Sequence, residues 1–318
     1  MQLRGIEFGN IMGASGVQGF FGEGYWFHPF LKPFGLDFTG MTFVAKTTTL
    51  AERAGNMPLT GSHTPREYLP RCIKVQPLRG NMLNAVGLSG PGLPKLLRTG
   101  RWQQRTAPFW ISFMSVAATK AERLEELQLA IAMLSLDKPS FKTAFGLQIN
   151  VSCPNTGHDT GALIGEILEV IQIAKSLGVP VMLKFAVDTA TPDDMMVLND
   201  HPDCDAICVS NTIKFGAPGI NWEQAWGDET SPLADLGGGG LSGETLRPLV
   251  CDWIKRLREK GFTKPINGGG GILHPVHVCE YYSAGASSVF IGSAAALRPW
   301  RVKSIIETAN NLDFTWKG

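Results

Sequence analysis

The chain has 318 residues, 44% of them hydrophobic and 18% charged, with a formal net charge of +1. Near-neutral charge without a Lys/Arg block gives no electrostatic reason to expect nucleic acid or an acidic membrane surface as partner. No apolar run approaches the length that spans a bilayer, and the opening Met1-Gln2-Leu3-Arg4-Gly5-Ile6 lacks the apolar core of a signal peptide.

Short apolar runs alternate with longer amphipathic ones, the pattern of βα units. Strands are predicted at 10–15, 42–48, 109–115, 146–152, 181–186, 206–211, 265–268 and 288–292. Eight is the number that closes a parallel barrel, and 318 residues suits one such unit. No repeat, low-complexity tract or linker divides the chain. The expected fold is therefore α/β, a single (β/α)8 TIM barrel over residues 1–318 with long loops inserted over its carboxyl-end face.

The helix signals fall between these strands. Thr119-Lys120-Ala121-Glu122 reads as a capping box opening a helix to about Leu136. Ile167, Leu168, Ile171 and Ala174 share one face of a helix over 165–177, which Gly178 and Pro180 end. Thr191 caps a helix start with Pro192 in its first turn, and a helix over 244–260 stops at Gly261. Two connections, 50–108 and 212–241, are too long for plain barrel loops, which marks them as lids or walls. The six cysteines (Cys72, Cys153, Cys204, Cys208, Cys251 and Cys279) form no CxxC pair, so a reduced, cytoplasmic protein without disulfides or a zinc site is expected. His28, His63, His158, His201, His274 and His277 fit no ligand constellation.

The chemistry concentrates after the fourth strand, in Leu147-Gln148-Ile149-Asn150-Val151-Ser152-Cys153-Pro154-Asn155-Thr156. Pro154 prevents a regular continuation of the strand, so its polar groups gather at a strand's carboxyl end, where parallel α/β enzymes place their active face. Carboxamides suit a planar ligand rich in imide groups, and an accessible thiolate serves as base or nucleophile. The plainer reading is an Asn/Pro turn with an inert buried Cys. Lys46 ends the second strand and Lys184 the fifth, two cations in corresponding places that could stabilise developing negative charge. Asn84, Asn150, Asn155 and Asn211 would set four carboxamides around one mouth. Glycine clusters follow strands seven and eight, at Gly268-Gly269-Gly270-Gly271 and Ile291-Gly292-Ser293, where barrels commonly bind phosphate. Each cluster alone would pass as a tight turn.

Asn150-Val151-Ser152-Cys153-Pro154-Asn155-Thr156 resembles the catalytic loop of the dihydroorotate dehydrogenases, flavoproteins of pyrimidine synthesis. The remaining clusters are similar to that family's pattern in order. The resemblance implies Cys153 as the catalytic base, with Lys46, Asn84, Gly87, Leu88, Asn150, Asn155, Asn211 and Thr212 on the substrate. It implies FMN as cofactor, held by Ala14, Ser15, Lys46, Thr47, Asn150, Lys184, Ser210, Gly240, Ser242, Gly243, Gly270, Gly271, Gly292 and Ser293. The implied reaction removes a proton from C5 of dihydroorotate and passes a hydride from C6 to FMN, yielding orotate. Cys rather than Ser at 153 resembles the soluble class. Gly240-Leu241-Ser242-Gly243 resembles the branch that passes electrons through an FAD and iron–sulfur subunit to NAD. A homodimer is the family expectation. Gly55-Asn56-Met57-Pro58-Leu59 departs from the family's usual Gly-Asn-Pro, and the segment around His158 matches no branch. The rival readings are a dihydropyrimidine dehydrogenase-like reductase and a flavin-binding interaction protein without turnover. Asn155 disfavours the first, and intact Cys153, Lys46 and Lys184 disfavour the second.

Overall fold

The computed structural model describes residues 1–151 and 160–314, side chains of 160–164 excepted. Seven strands form one parallel sheet in the spatial order Ile11–Gly13, Ser288–Ile291, Ile266–Gly269, Ala206–Val209, Val181–Phe185, Phe145–Asn150 and Phe109–Phe113. Six of the seven, all but Phe145–Asn150 with its half-buried Asn150, are buried at every position. A sheet covered on both faces needs such continuous apolar runs.

The remaining predicted strand, 42–48, joins the two edges. Thr42 bridges Met12 in the first strand, while Val44 and Thr48 bridge Trp110 and Phe113 in the last. The pairing is intermittent for a local reason. Lys46 N donates to Gly19 O at 2.9 Å and Thr47 N to Ser15 Oγ at 3.1 Å, so the loop after the first strand takes amides that a ladder would use. Eight segments thus close around one axis as a TIM-type barrel.

The outer helices follow their sequence signals. Thr119 and Glu122 form the reciprocal capping box of Lys120–Asp137, which buries Leu127, Ala130, Ile131 and Leu134 on the strands. The helix Thr160–Ala174 runs into a short 3-10 turn that ends at Gly178. Thr191 and Asp194 cap a four-residue helix, Pro192–Met195, and Leu246–Glu259 ends before Gly261. At the amino ends of the strands an inner cluster of Phe8, Met12, Val44, Trp110, Met182 and Cys208 fills the barrel floor. Phe8 packs on Trp110 with ring centroids 4.4 Å apart.

The two long connections fold onto each other. Ile213–Lys214, Gly240–Gly243, Asn81–Asn84 and Ile73–Gln76 pair as a four-stranded antiparallel sheet. Its cover is a small core of Leu83, Ala225, Trp226, Leu233 and Leu241.

Candidate active site

The strand ends and the antiparallel sheet enclose a cavity of about 1170 Å³. Its wall draws on almost every predicted segment. Ala14 and Ser15 follow the first strand, Lys46 and Thr47 the second, Asn150 ends the fourth and Lys184 lies in the fifth. Ser210, Asn211 and Thr212 follow the sixth, Gly270 and Gly271 the seventh, and Gly292 and Ser293 the eighth. The antiparallel sheet and its loop add Asn84, Gly87, Leu88 and Ser242.

Pairing register sets the middle of the site. Asn150 lies opposite Lys184, and Lys184 opposite Cys208, so these inward positions form one row across three strands. The Asn211 amide donates to Asn150 Oδ1 at 3.3 Å, drawing two predicted carboxamides together. Ser210 Oγ accepts from Val187 N at 2.9 Å and donates to Asn211 O at 2.6 Å, which fixes the turn that carries Asn211. Asn84 Nδ2 reaches Gly240 O at 3.5 Å. Ser15, Thr47 and Ser112 form a hydroxyl chain, at 2.5 Å and 2.9 Å.

Both lysines are buried. Lys46 Nζ donates to Ser89 O at 2.6 Å and lies over the Phe20 ring. Burial pushes its pKa down to about 8, against the opposing pull of Cys72 and Glu23. Lys184 Nζ lies over Phe290, and burial lowers its pKa while Cys208 opposes that shift. Among the described residues neither ammonium has a carboxylate at ion-pair distance. A buried cation without an anion is costly, so this cavity favours an anionic ligand.

The glycines divide into two groups. Gly270 and Gly271 have φ of +135° and +70°, and Gly271 packs against the Gly243 carbonyl where a Cβ would collide with it. Gly292 lies against Ala14, whose Cβ would be 2.8 Å from an added one. These close approaches put backbone on the cavity wall, as anion binding requires. Gly240 and Gly243 lie behind the wall, outside the cavity lining. There they make room for the Thr212 side chain and the Gly80 carbonyl. Cys153 and Asn155 lie outside the described residues.

Sequence reading missed part of the wall. Tyr25, Trp26 and Phe27, in the loop after the first strand, and His28, which opens the short helix His28–Leu31, extend the cavity, as do Arg53, Tyr68 to Arg71, Ile73 and Lys74. His28 is buried among the rings of Tyr25, Phe27 and Phe38, and its Nε2 has no hydrogen-bond partner. A dense aromatic run in a loop at the carboxyl end of a barrel strand was the available signal. Among the described residues there is no cluster that could hold a metal ion and no helix long and apolar enough to cross a membrane.

Comparison with known proteins gives one consistent outcome. The family model for dihydroorotate dehydrogenase matches residues 1–312. The catalytic subunit of dihydroorotate dehydrogenase B (NAD(+)) from Geobacillus kaustophilus is 28% identical over 313 residues, 96% of this chain and 88% of that protein. Dihydroorotate dehydrogenase A (fumarate) from Lactiplantibacillus plantarum is 28% identical over 269 residues, 83% of this chain and 78% of that protein. Among solved structures, DHODH from Eimeria tenella in complex with ferulenol superposes with a TM-score of 0.64 at 17% identity, covering 96% of this chain and 82% of that one.

Proposed function

Since the chain belongs to the dihydroorotate dehydrogenase family and is an oxidoreductase, we propose that it oxidises dihydroorotate to orotate in pyrimidine synthesis, with FMN as its cofactor. The observation that carries this reading is the pair of buried lysines. Lys46 and Lys184 face one cavity without a carboxylate partner among the described residues, beside the glycine wall of strands seven and eight. An anionic nucleotide and an anionic substrate answer both needs. The volume agrees, since about 1170 Å³ exceeds the roughly 300–1,000 Å³ of a single small-molecule site.

In this reading Gly270, Gly271, Gly292 and Ser293 take the phosphate, and Ala14, Ser15, Thr47, Ser210 and Lys184 take the ring system. Gly240 and Gly243 act from behind, by holding Thr212 and the Gly271 turn in place. When bound, FMN supplies a two-electron acceptor that no side chain here provides. The substrate lies under Asn84, Asn150, Asn155 and Asn211, with Thr212, Gly87 and Leu88 completing its pocket. A site wired by carboxamides rejects ring analogues that would leave those amides unpaired. Lys46 faces the negative charge of the substrate. Cys153, three residues beyond Asn150, takes the C5 proton as general base. Two further proposals concern assembly, a homodimer and an FAD/iron–sulfur partner that carries electrons to NAD. The names of the B-type relatives support the second. We place the protein in the cytoplasm.

Anaerobic titration of the purified protein with dihydroorotate, followed at the visible flavin band, tests the proposal. Bleaching of that band supports cofactor, substrate and half-reaction together. A yellow protein that dihydrouracil reduces and dihydroorotate does not would move the assignment to the dihydropyrimidine reductases. The Cys153→Ala variant is expected to keep FMN and to bleach at least about a hundredfold more slowly, the usual scale of general-base catalysis.

A further inference from the structure

The wall formed by Gly270 and Gly271 is held from behind by one side chain. His277, in the first turn of the helix Pro275–Ala284, turns Nδ1 back toward the loop. Leu273 N donates to this nitrogen at 3.2 Å, and Gly271 O lies 3.1 Å from it. The two neighbours make opposite demands. An N–H needs the lone pair on Nδ1, whereas a carbonyl needs a proton there. A neutral ring carrying its proton on Nε2 ties Leu273. A doubly protonated ring ties Gly271 and leaves the buried Leu273 amide without its partner.

We propose that His277 is a positioning residue for the phosphate-side glycine loop, and that protonating its ring switches the loop from a Leu273-held form to a Gly271-held form that binds FMN more weakly. The inference rests on the FMN reading above. Helix capping does not account for the contact, because His274 already caps this helix through Val276 N. Nor does the other glycine move with it. Tyr281 donates its hydroxyl to Gly270 O at 2.7 Å and stays protonated, since burial holds its pKa well above 10.

The charged surroundings are defined. Arg247 comes from the helix Leu246–Glu259, Glu244 precedes that helix, and Glu280 lies on the helix of His277 itself. Arg247 is paired to both glutamates, and the His274 ring is 6.0 Å away. Burial first, then Arg247, lower the His277 pKa below its usual 6.5, with Glu244, Glu280 and the Gly271 carbonyl opposing. The ring is therefore neutral at neutral pH and takes its second proton only below the ordinary histidine range.

His277→Asn and His277→Ala separate the possibilities. An Asn oxygen accepts from Leu273 N much as Nδ1 does, but it does not titrate in this range. The FMN dissociation constant of the apoprotein would be measured by flavin fluorescence from about pH 7.5 to about pH 5. The phosphate itself titrates near pH 6, so the ratio of parent to His277→Asn isolates the histidine. That ratio is expected to rise about fivefold toward acid, the effect of roughly one hydrogen bond. Parallel curves for parent and His277→Asn would overturn the proposal. Amide hydrogen exchange at Leu273 in the apoprotein needs no flavin. Protection lost in His277→Ala and restored in His277→Asn supports the contact, and equal protection in all three proteins overturns it. A chain that takes up no FMN at any pH, while Leu273 behaves as expected, would sink the functional reading and overturn the FMN switch with it, and would support the His277–Leu273 contact alone.

Discussion

Lys46 and His28 both line the cavity, and burial shifts both in a direction that pH experiments read. Lys46 is charged below about pH 8 and loses its proton above it, well before an ordinary lysine would. An anionic ligand that relies on this cation should bind the free enzyme more weakly as pH rises through that value. Orotate affinity, followed by perturbation of the flavin spectrum, is expected to fall by up to about tenfold per pH unit above the transition. Lys46→Gln should bind orotate weakly with no such transition, and a parent curve that stays flat would remove Lys46 from the substrate. His28 works in the opposite range. Burial pushes its pKa down to about 4, because the imidazolium would sit among aromatic rings with Nε2 unpartnered. The unfolded chain therefore takes up this proton near pH 6.5 and the folded one near pH 4. Stability tied to neutral His28 is complete above pH 6.5 and is lost as pH falls through 4. The shift corresponds to about 3 kcal/mol. His28→Phe keeps a ring in the cage and should lose less stability between neutral pH and about pH 4, by an amount of that order. Urea unfolding at the two pH values measures it.

At the element scale, the glycine turns separate two costs that usually come mixed. Gly271 has φ +70° and Gly100 has φ +68°, so alanine carries nearly the same backbone strain at either place. An added Cβ at Gly100 meets nothing within 4 Å, whereas at Gly271 it collides with the Gly243 carbonyl. Gly100→Ala is therefore expected to cost about 1–2 kcal/mol, the left-handed penalty alone. Gly271→Ala should cost at least about 2 kcal/mol more and weaken FMN uptake, because backbone rather than a movable side chain must give way. Thermal unfolding of the two variants makes the comparison. Equal losses would mean that the Gly243–Gly271 approach carries no stability. The same elements show what sequence reading reached. Val181–Phe185 and Ala206–Val209 were legible because apolar runs with β-branched residues lie between turn signals. The antiparallel sheet was not. Gly240–Gly243 has little strand propensity, and its pairing of Gly240 with Asn84 joins residues remote in the chain. Such pairing is a property of the closed barrel, which brings the two loops to one mouth.

Across the whole molecule, the barrel divides its work between its two ends. Ala14 and Ser15 leave the first strand at the cavity, whereas Phe8 approaches that strand from the floor. Cavity-lining residues were legible where a polar group ended an apolar run, as at Asn150, Lys184 and Asn211. The aromatic wall from Tyr25 to His28 was not, because it belongs to no strand and closes the cavity only in three dimensions. The floor was equally hidden, since Phe8, Met182 and Cys208 meet only when the strands close. Parallel barrels place chemistry at the carboxyl ends of their strands and rely on the opposite face for stability. Phe8 tests that division here. It is 1% exposed and packs on Trp110 with its ring tilted, so Phe8→Ala leaves a cavity inside the closed floor. The expected loss is about 3–5 kcal/mol in denaturant unfolding. Because Phe8 itself does not line the cavity, FMN affinity of the folded protein should stay within about twofold of the parent, as sites that do not touch behave independently. A large fall in flavin affinity with little loss of stability would mean that the floor sets the geometry of the mouth, and that the two ends of this barrel are coupled through the inward row of Asn150, Lys184 and Cys208.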